Sequence, residues 1–228
     1  MIIVENIVQD LIKKVKVKSI NPLDPVHVSN IPGDWRLIGC GNYAAVFEHP
    51  GFSGKIVKLY AENRKGAEKE KQVYRLLGDH PAYSVLYEAG ERHLILKKLE
   101  GLTLYEALRK GKYIPERVIK DVDTALQYAI RIGLNPTDVH GKNVMMKDGR
   151  GYVIDVSDFL EDFNCPRWRD FKKAYYRLYL PLSRYRKLKV PRWILERIRK
   201  GYQKYLRLSG YYKRKRHSKE TKRLANRS

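Results

Sequence analysis

At 228 residues, the chain can bury a substantial core as one two-lobed domain or two small ones, and 43% hydrophobic with 32% charged residues excludes wholesale disorder. No apolar run approaches the length of a bilayer-spanning helix, and the opening Met-Ile-Ile-Val-Glu-Asn lacks the features expected of a signal peptide. The formal charge of +22 is concentrated: residues 164–228 hold 23 Lys/Arg against 3 Asp/Glu, net +20, and residues 1–163 hold 24 against 22, net +2.

In chain order, Ile7, Val8, Leu11, Ile12 and Val15 have helical spacing, and Asn21-Pro22 and Asp24-Pro25 interrupt it. Residues 1–32 are therefore expected to form an N-terminal helix and linker. A β-rich stretch follows: Trp35-Arg-Leu-Ile runs into Gly39-Cys-Gly41, Ala44 to Glu48 resumes strand character, and Pro50 to Gly54 turns into Lys55-Ile-Val-Lys-Leu-Tyr60. A charged helix is expected from about Lys65 to Leu77, closed by Gly78, and two more strands at 84–87 and 94–96. These elements make a first lobe over 33–98.

Thr103 is placed to cap a short helix ending near Gly111, and Pro115 opens a longer one stopped by Gly133. Two short strands flank the turn Asp148-Gly149. Beyond them the composition becomes helical and basic. Phe171, Ala174, Tyr175, Leu178 and Leu182 share one face, as do Leu195, Ile198, Tyr202 and Tyr205. A second lobe is expected over 99–210, and a disordered basic tail over 211–228. The fold class is α+β. Cys40 and Cys165 show no metal-ligand spacing, and unpaired thiols point to a cytoplasmic chain.

Several residues stand out for chemistry. Gly39 and Gly41 sit between two strands, where missing Cβ atoms let backbone amides approach a phosphate. Lys58 lies in a strand; on an inner face its ammonium must find an anion. Glu70 shares a helix face with Val73, Tyr74 and Leu77, while Glu68 is less well aligned. Asp138 and Asn143 lie in Asp138-Val-His-Gly-Lys-Asn143, and Asp155 ends the apolar Tyr152-Val-Ile. Each has a bland counterpart: hairpin glycines, an edge-strand lysine, a solvated helix, turn-forming Asp and Asn. Their order along one chain is what phosphoryl transfer needs: a cation on the phosphates, a carboxylate to orient a hydroxyl, and an amide and a carboxylate to share a metal.

This arrangement resembles the protein kinase superfamily over about residues 33–160. Gly39-Cys-Gly41 with Ala45-Val is similar to its glycine-rich loop, Lys58 to the strand lysine, Glu70 to its helix partner, and Leu94 to Leu99 to the hinge. Asp138-x-His140-x-x-Asn143 resembles the catalytic loop, and Tyr152-Val-Ile-Asp155-Val-Ser157 the metal-binding strand end as RIO kinases write it. The resemblance implies a bilobal kinase-like fold with a shortened helical C-lobe, ATP and Mg²⁺ as cofactors, and a hydroxyl-bearing acceptor, protein or small molecule. It implies a serine/threonine-kinase-like phosphotransferase: Asp138 and Asn143 catalytic, Gly39, Gly41, Lys58, Glu70 and Asp155 on the nucleotide, Asn143 and Asp155 on the metal.

The departures concern the acceptor. Pro136-Thr137 replaces the usual His-Arg before the loop aspartate, Val-Ser follows Asp155, and no Ala-Pro-Glu follows. Asp158-Phe159 offers an alternative alignment, and Asp170 is a candidate anchor for the catalytic loop. His140 is read as structural. Two rival readings remain: a small-molecule or lipid-sugar kinase at an anionic membrane, and an inactive kinase-like module associated with nucleic acid. The basic C-terminal third is expected to meet a polyanion, whether RNA, ribosome or anionic membrane.

Overall fold

The computed structural model describes residues 2–209, apart from 22, 23, 63 and 65. The chain divides into two compact units, Met1–Leu99 and Glu100–Ser228. The expected tail at 211–228 lies outside the described residues.

In the first unit, helix α1 (Ile2–Lys14) is followed by strands β1 (Lys16–Lys18) and β2 (His27–Ser29), which pair antiparallel. Strands β3 (Arg36–Cys40), β4 (Ala44–Glu48), β5 (Lys55–Tyr60), β6 (Leu86–Ala89) and β7 (His93–Lys97) form an antiparallel sheet in the order β3-β4-β5-β7-β6. Helix α2 (Ala67–Leu77) connects β5 to β6. Side chains alternate across β5. Val57 and Leu59 join Val8, Leu11 and Phe47 in a core under α1. Lys58 and Tyr60 therefore point to the opposite face, where α2 lies. The leading helix is thus built into the core of this unit, where Val8, Leu11 and Val15 bury their apolar side chains.

The second unit begins with strand β8 (Leu102–Thr103) and helix α3 (Leu104–Lys110). Thr103 and Glu106 bond reciprocally in a capping box, and Gly111 ends the helix in the left-handed conformation. Helix α4 (Glu116–Arg131) buries Val118, Val122 and Leu126. Strands β9 (Val144–Lys147) and β10 (Arg150–Val153) form a hairpin through Asp148-Gly149, both at positive φ, and β8 extends it to three strands. Helix α5 (Arg167–Ala174) passes through a π-turn, Tyr175–Tyr179, into α6 (Leu180–Ser183), and α7 (Arg192–Leu208) follows. Among the described residues, no helix is long and apolar enough to cross a membrane.

The faces of the last helices differ from the expected ones. Trp168 and Tyr175 are buried, whereas Leu178 and Leu182 are exposed. The π-turn inserts an extra residue per turn and shifts the helical phase. It also serves the backbone: Tyr175 donates to the Ile114 carbonyl at 3.0 Å, and the Ile114 amide donates to the Tyr179 hydroxyl at 2.9 Å. On α7 the buried residue is Leu206, packed on Phe163 beside Tyr202, while Ile198 and Tyr205 face solvent.

Candidate active site

In the first unit, the turn Gly41–Ala44 closes through the Gly41 amide on the Ala44 carbonyl at 2.9 Å. A Cβ at Gly39 would meet Val46 at 3.6 Å, and one at Gly41 the Ala44 carbonyl at 3.6 Å, both ordinary contacts. The fold of this unit does not itself demand glycine at either position. What the two glycines leave is bare backbone at the strand turn.

Lys58 Nζ lies 2.8 Å from both Glu70 carboxylate oxygens. The Lys58 side chain is 11% exposed and that of Glu70 is fully buried. The Tyr60 hydroxyl donates to Glu70 Oε2. This geometry requires Gly66, since a Cβ there would stand 2.5 Å from the Tyr60 ring, which lies against the start of α2. Glu68, on the same helix, is turned outward and pairs with Lys71 at 3.1 Å. A buried ammonium paired with a buried carboxylate is held in one position.

In the second unit, the loop after α4 carries Asp138, His140 and Asn143. Asp138 adopts φ +59°, a left-handed conformation that Asp tolerates better than most residues. The Asn143 side-chain NH₂ holds it there, donating to the Asp138 carbonyl at 3.1 Å, while the Asn143 amide donates to the His140 carbonyl at 2.8 Å. The Tyr105 amide of α3 donates to the Gly141 carbonyl at 2.8 Å. The loop is also tied to the segment after β10. Ile154 donates to the Asn143 carbonyl at 3.0 Å, Asn135 to those of Phe159, Glu161 and Phe163, and the Thr137 hydroxyl to that of Asp158 at 2.5 Å. Asp158 itself is buried in this turn.

Asp155 follows the hairpin, and its Oδ1 accepts from the Ser157 hydroxyl at 2.6 Å and the Ser157 amide at 3.2 Å. Burial pushes the His140 pKa down; the charges of Asp138 and Asp155 oppose this, and those of Arg167 and Lys142 reinforce it. The bond from Ile154 to the Asn143 carbonyl sets Asp155, the next residue, beside the loop in which Asn143 holds the Asp138 carbonyl.

Arg167 was not apparent from the sequence. It opens α5, and its Nε lies 3.0 Å from Asp138 Oδ1. Both atoms are shut off from water, and the N–H is not aligned for a hydrogen bond to that oxygen, so the contact is a charge pairing. Nothing in the sequence distinguishes Arg167 from the many basic residues around it. Asp170, one turn on, takes another role: it accepts from Tyr202 at 2.9 Å and tethers α5 to α7.

No protein-family model matches the chain. Among solved structures, it is similar to the Mycobacterium tuberculosis PknI kinase domain, crystallised as a cysteine-to-alanine mutant, with a TM-score of 0.43 and 21% identity over 54% of this chain and 57% of that one. It thus spans just over half of that domain's length. Among curated proteins, it is 35% identical over 146 residues to the "Putative serine/threonine-protein kinase YrzF" of Bacillus subtilis (strain 168), covering 63% of this chain and 68% of that protein. With that relative, the chain belongs to the protein-kinase-like superfamily.

Proposed function

We propose that the protein is an ATP- and Mg²⁺-dependent phosphotransferase of the cytoplasm, serine/threonine-kinase-like, that moves the γ-phosphoryl group of ATP to a hydroxyl. The observation that carries this reading is the neighbourhood of Asp138, Asn143 and Asp155, pinned by backbone hydrogen bonds from α3 and from the segment after β10. Precise positioning of few groups is what phosphoryl transfer asks of a protein.

Lys58, aimed by Glu70, pairs with the α- and β-phosphates, and the bare backbone at Gly39 and Gly41 covers them. Asp138 orients the acceptor hydroxyl and takes its proton as the oxygen bonds to phosphorus and the bond to ADP breaks. Arg167 holds the Asp138 carboxylate in place.

The donor set fits magnesium. The Asn143 NH₂ group is spent on the Asp138 carbonyl, which leaves its carbonyl oxygen for a hard cation beside the Asp155 carboxylate. Among the described residues, no group of three or more His, Cys, Asp or Glu could hold a metal. A site of one carboxylate and one amide oxygen suits an ion that keeps phosphate and water ligands. Bound there, magnesium would neutralise charge on the phosphates.

The acceptor is a Ser/Thr hydroxyl or a small alcohol, and the basic C-terminal third engages a polyanion. The test is thermal stabilisation by ATP with and without Mg²⁺, beside transfer of labelled phosphate from ATP into protein, RNA and lipid fractions of a native lysate. Stabilisation that needs both ligands, lost in Asp155→Ala, and transfer lost in Asp138→Asn are the expected results. Transfer that survives both substitutions would overturn the assignment.

A further inference from the structure

Between residues 164 and 209 the chain carries 15 Lys/Arg against 2 Asp/Glu, and α7 lies within this segment. At 3.6 residues per turn, Leu195, Tyr202 and Leu206 share the face of α7 that packs inward. The outer face is not simply solvated. Trp193 is 62% exposed, Ile198 60%, Tyr205 57% and Leu208 77%. Exposed Arg197, Lys200 and Lys204 are interspersed among these four along the helix, and the Arg197 guanidinium lies 5.8 Å from the centre of the Trp193 ring.

A protein-binding patch gathers its apolar residues in a core inside a polar rim, whereas here the two kinds interleave over the whole helix. A nucleic-acid surface would use the cations and stack bases on Trp193 and Tyr205, but it has no use for exposed Ile198 and Leu208. An anionic bilayer surface satisfies both sets. Aliphatic and indole groups enter the acyl boundary, while long cationic side chains reach to the headgroups.

We infer that the outer face of α7 is a docking surface for anionic lipid bilayers, with Trp193, Ile198 and Leu208 inserting and Arg197, Lys200 and Lys204 pairing with headgroup phosphates. This deepens the polyanion reading above and is independent of the phosphotransfer chemistry.

Trp193 is a built-in reporter, because the other tryptophans, Trp35 and Trp168, are buried. The full chain is titrated with vesicles of phosphatidylcholine alone or mixed with phosphatidylglycerol, each with and without brominated acyl chains, and separately with single-stranded RNA. Salt-sensitive binding to phosphatidylglycerol vesicles is expected, with a blue shift and bromine quenching that Trp193→Phe abolishes. The pair Ile198→Glu and Leu208→Glu, both on the surface, should weaken it about tenfold or more without changing the thermal melt. Vesicle binding without bromine quenching would overturn the inference. So would RNA binding without vesicle binding, which leaves the polyanion reading standing; binding to neither overturns both.

Discussion

Replacing Glu70 by Ala tests whether the Lys58 ammonium is held in a dry site. The substitution removes both oxygens that meet Lys58 and the acceptor of the Tyr60 hydroxyl. With only 11% of its side chain exposed, Lys58 cannot recover its hydration without moving. Breaking one partner from a buried pair costs about 3–5 kcal/mol. Glu70→Ala should therefore lose at least about 3 kcal/mol. The double variant Lys58→Met, Glu70→Gln removes both charges and keeps an acceptor for Tyr60, so its loss should be within about 1–2 kcal/mol. Urea unfolding in a Trp168→Phe, Trp193→Phe background reads the first unit through Trp35, which is buried in its core. A loss below about 1 kcal/mol for Glu70→Ala, or a double variant no more stable than the single one, would refute the dry-site reasoning.

Three further predictions concern other positions. His93 is buried, its Nε2 has no hydrogen-bond partner, and burial pushes its pKa down. The unfolded chain then binds the extra proton more readily, so stability is full above about pH 6.5 and falls as the pH drops toward the lowered folded value; His93→Gln should flatten that slope in urea unfolding at pH 5 to 7. Gly101 has φ +139°, and a Cβ there would meet the Met146 carbonyl oxygen at 2.3 Å, so Gly101→Ala should cost about 2 kcal/mol or more, measured by denaturation. Arg167→Ala should lower kcat roughly tenfold or more with little change in KM for ATP, and Arg167→Lys should restore part of it in steady-state assays.

Secondary structure was largely legible because its signals are local. Period-2 alternation marks β5, the Thr103–Glu106 box and Gly111 bracket α3, and Asp148-Gly149 marks the β9–β10 hairpin. The order of Gly39, Gly41, Lys58, Glu70, Asp138, Asn143 and Asp155 could be read the same way, since the segments that carry them are short and contiguous in the chain. The C-terminal helices were less legible. Their apolar stripes suggested buried Leu178, Leu182, Ile198 and Tyr205, all of which are exposed. A π-turn leaves no mark in a hydrophobic pattern, and Leu206 is selected by Phe163, some forty residues away.

By itself the sequence determined the elements, their order and the residue types available for phosphate and metal chemistry, because propensity, capping and spacing act over a few residues. Only the tertiary structure decided that Arg167 stands on Asp138, that Asp170 reaches Tyr202, and which side of α7 is left bare. Those outcomes depend on burial and on charges brought close from distant parts of the chain. Desolvation is a property of the packed surroundings, and no single segment encodes it.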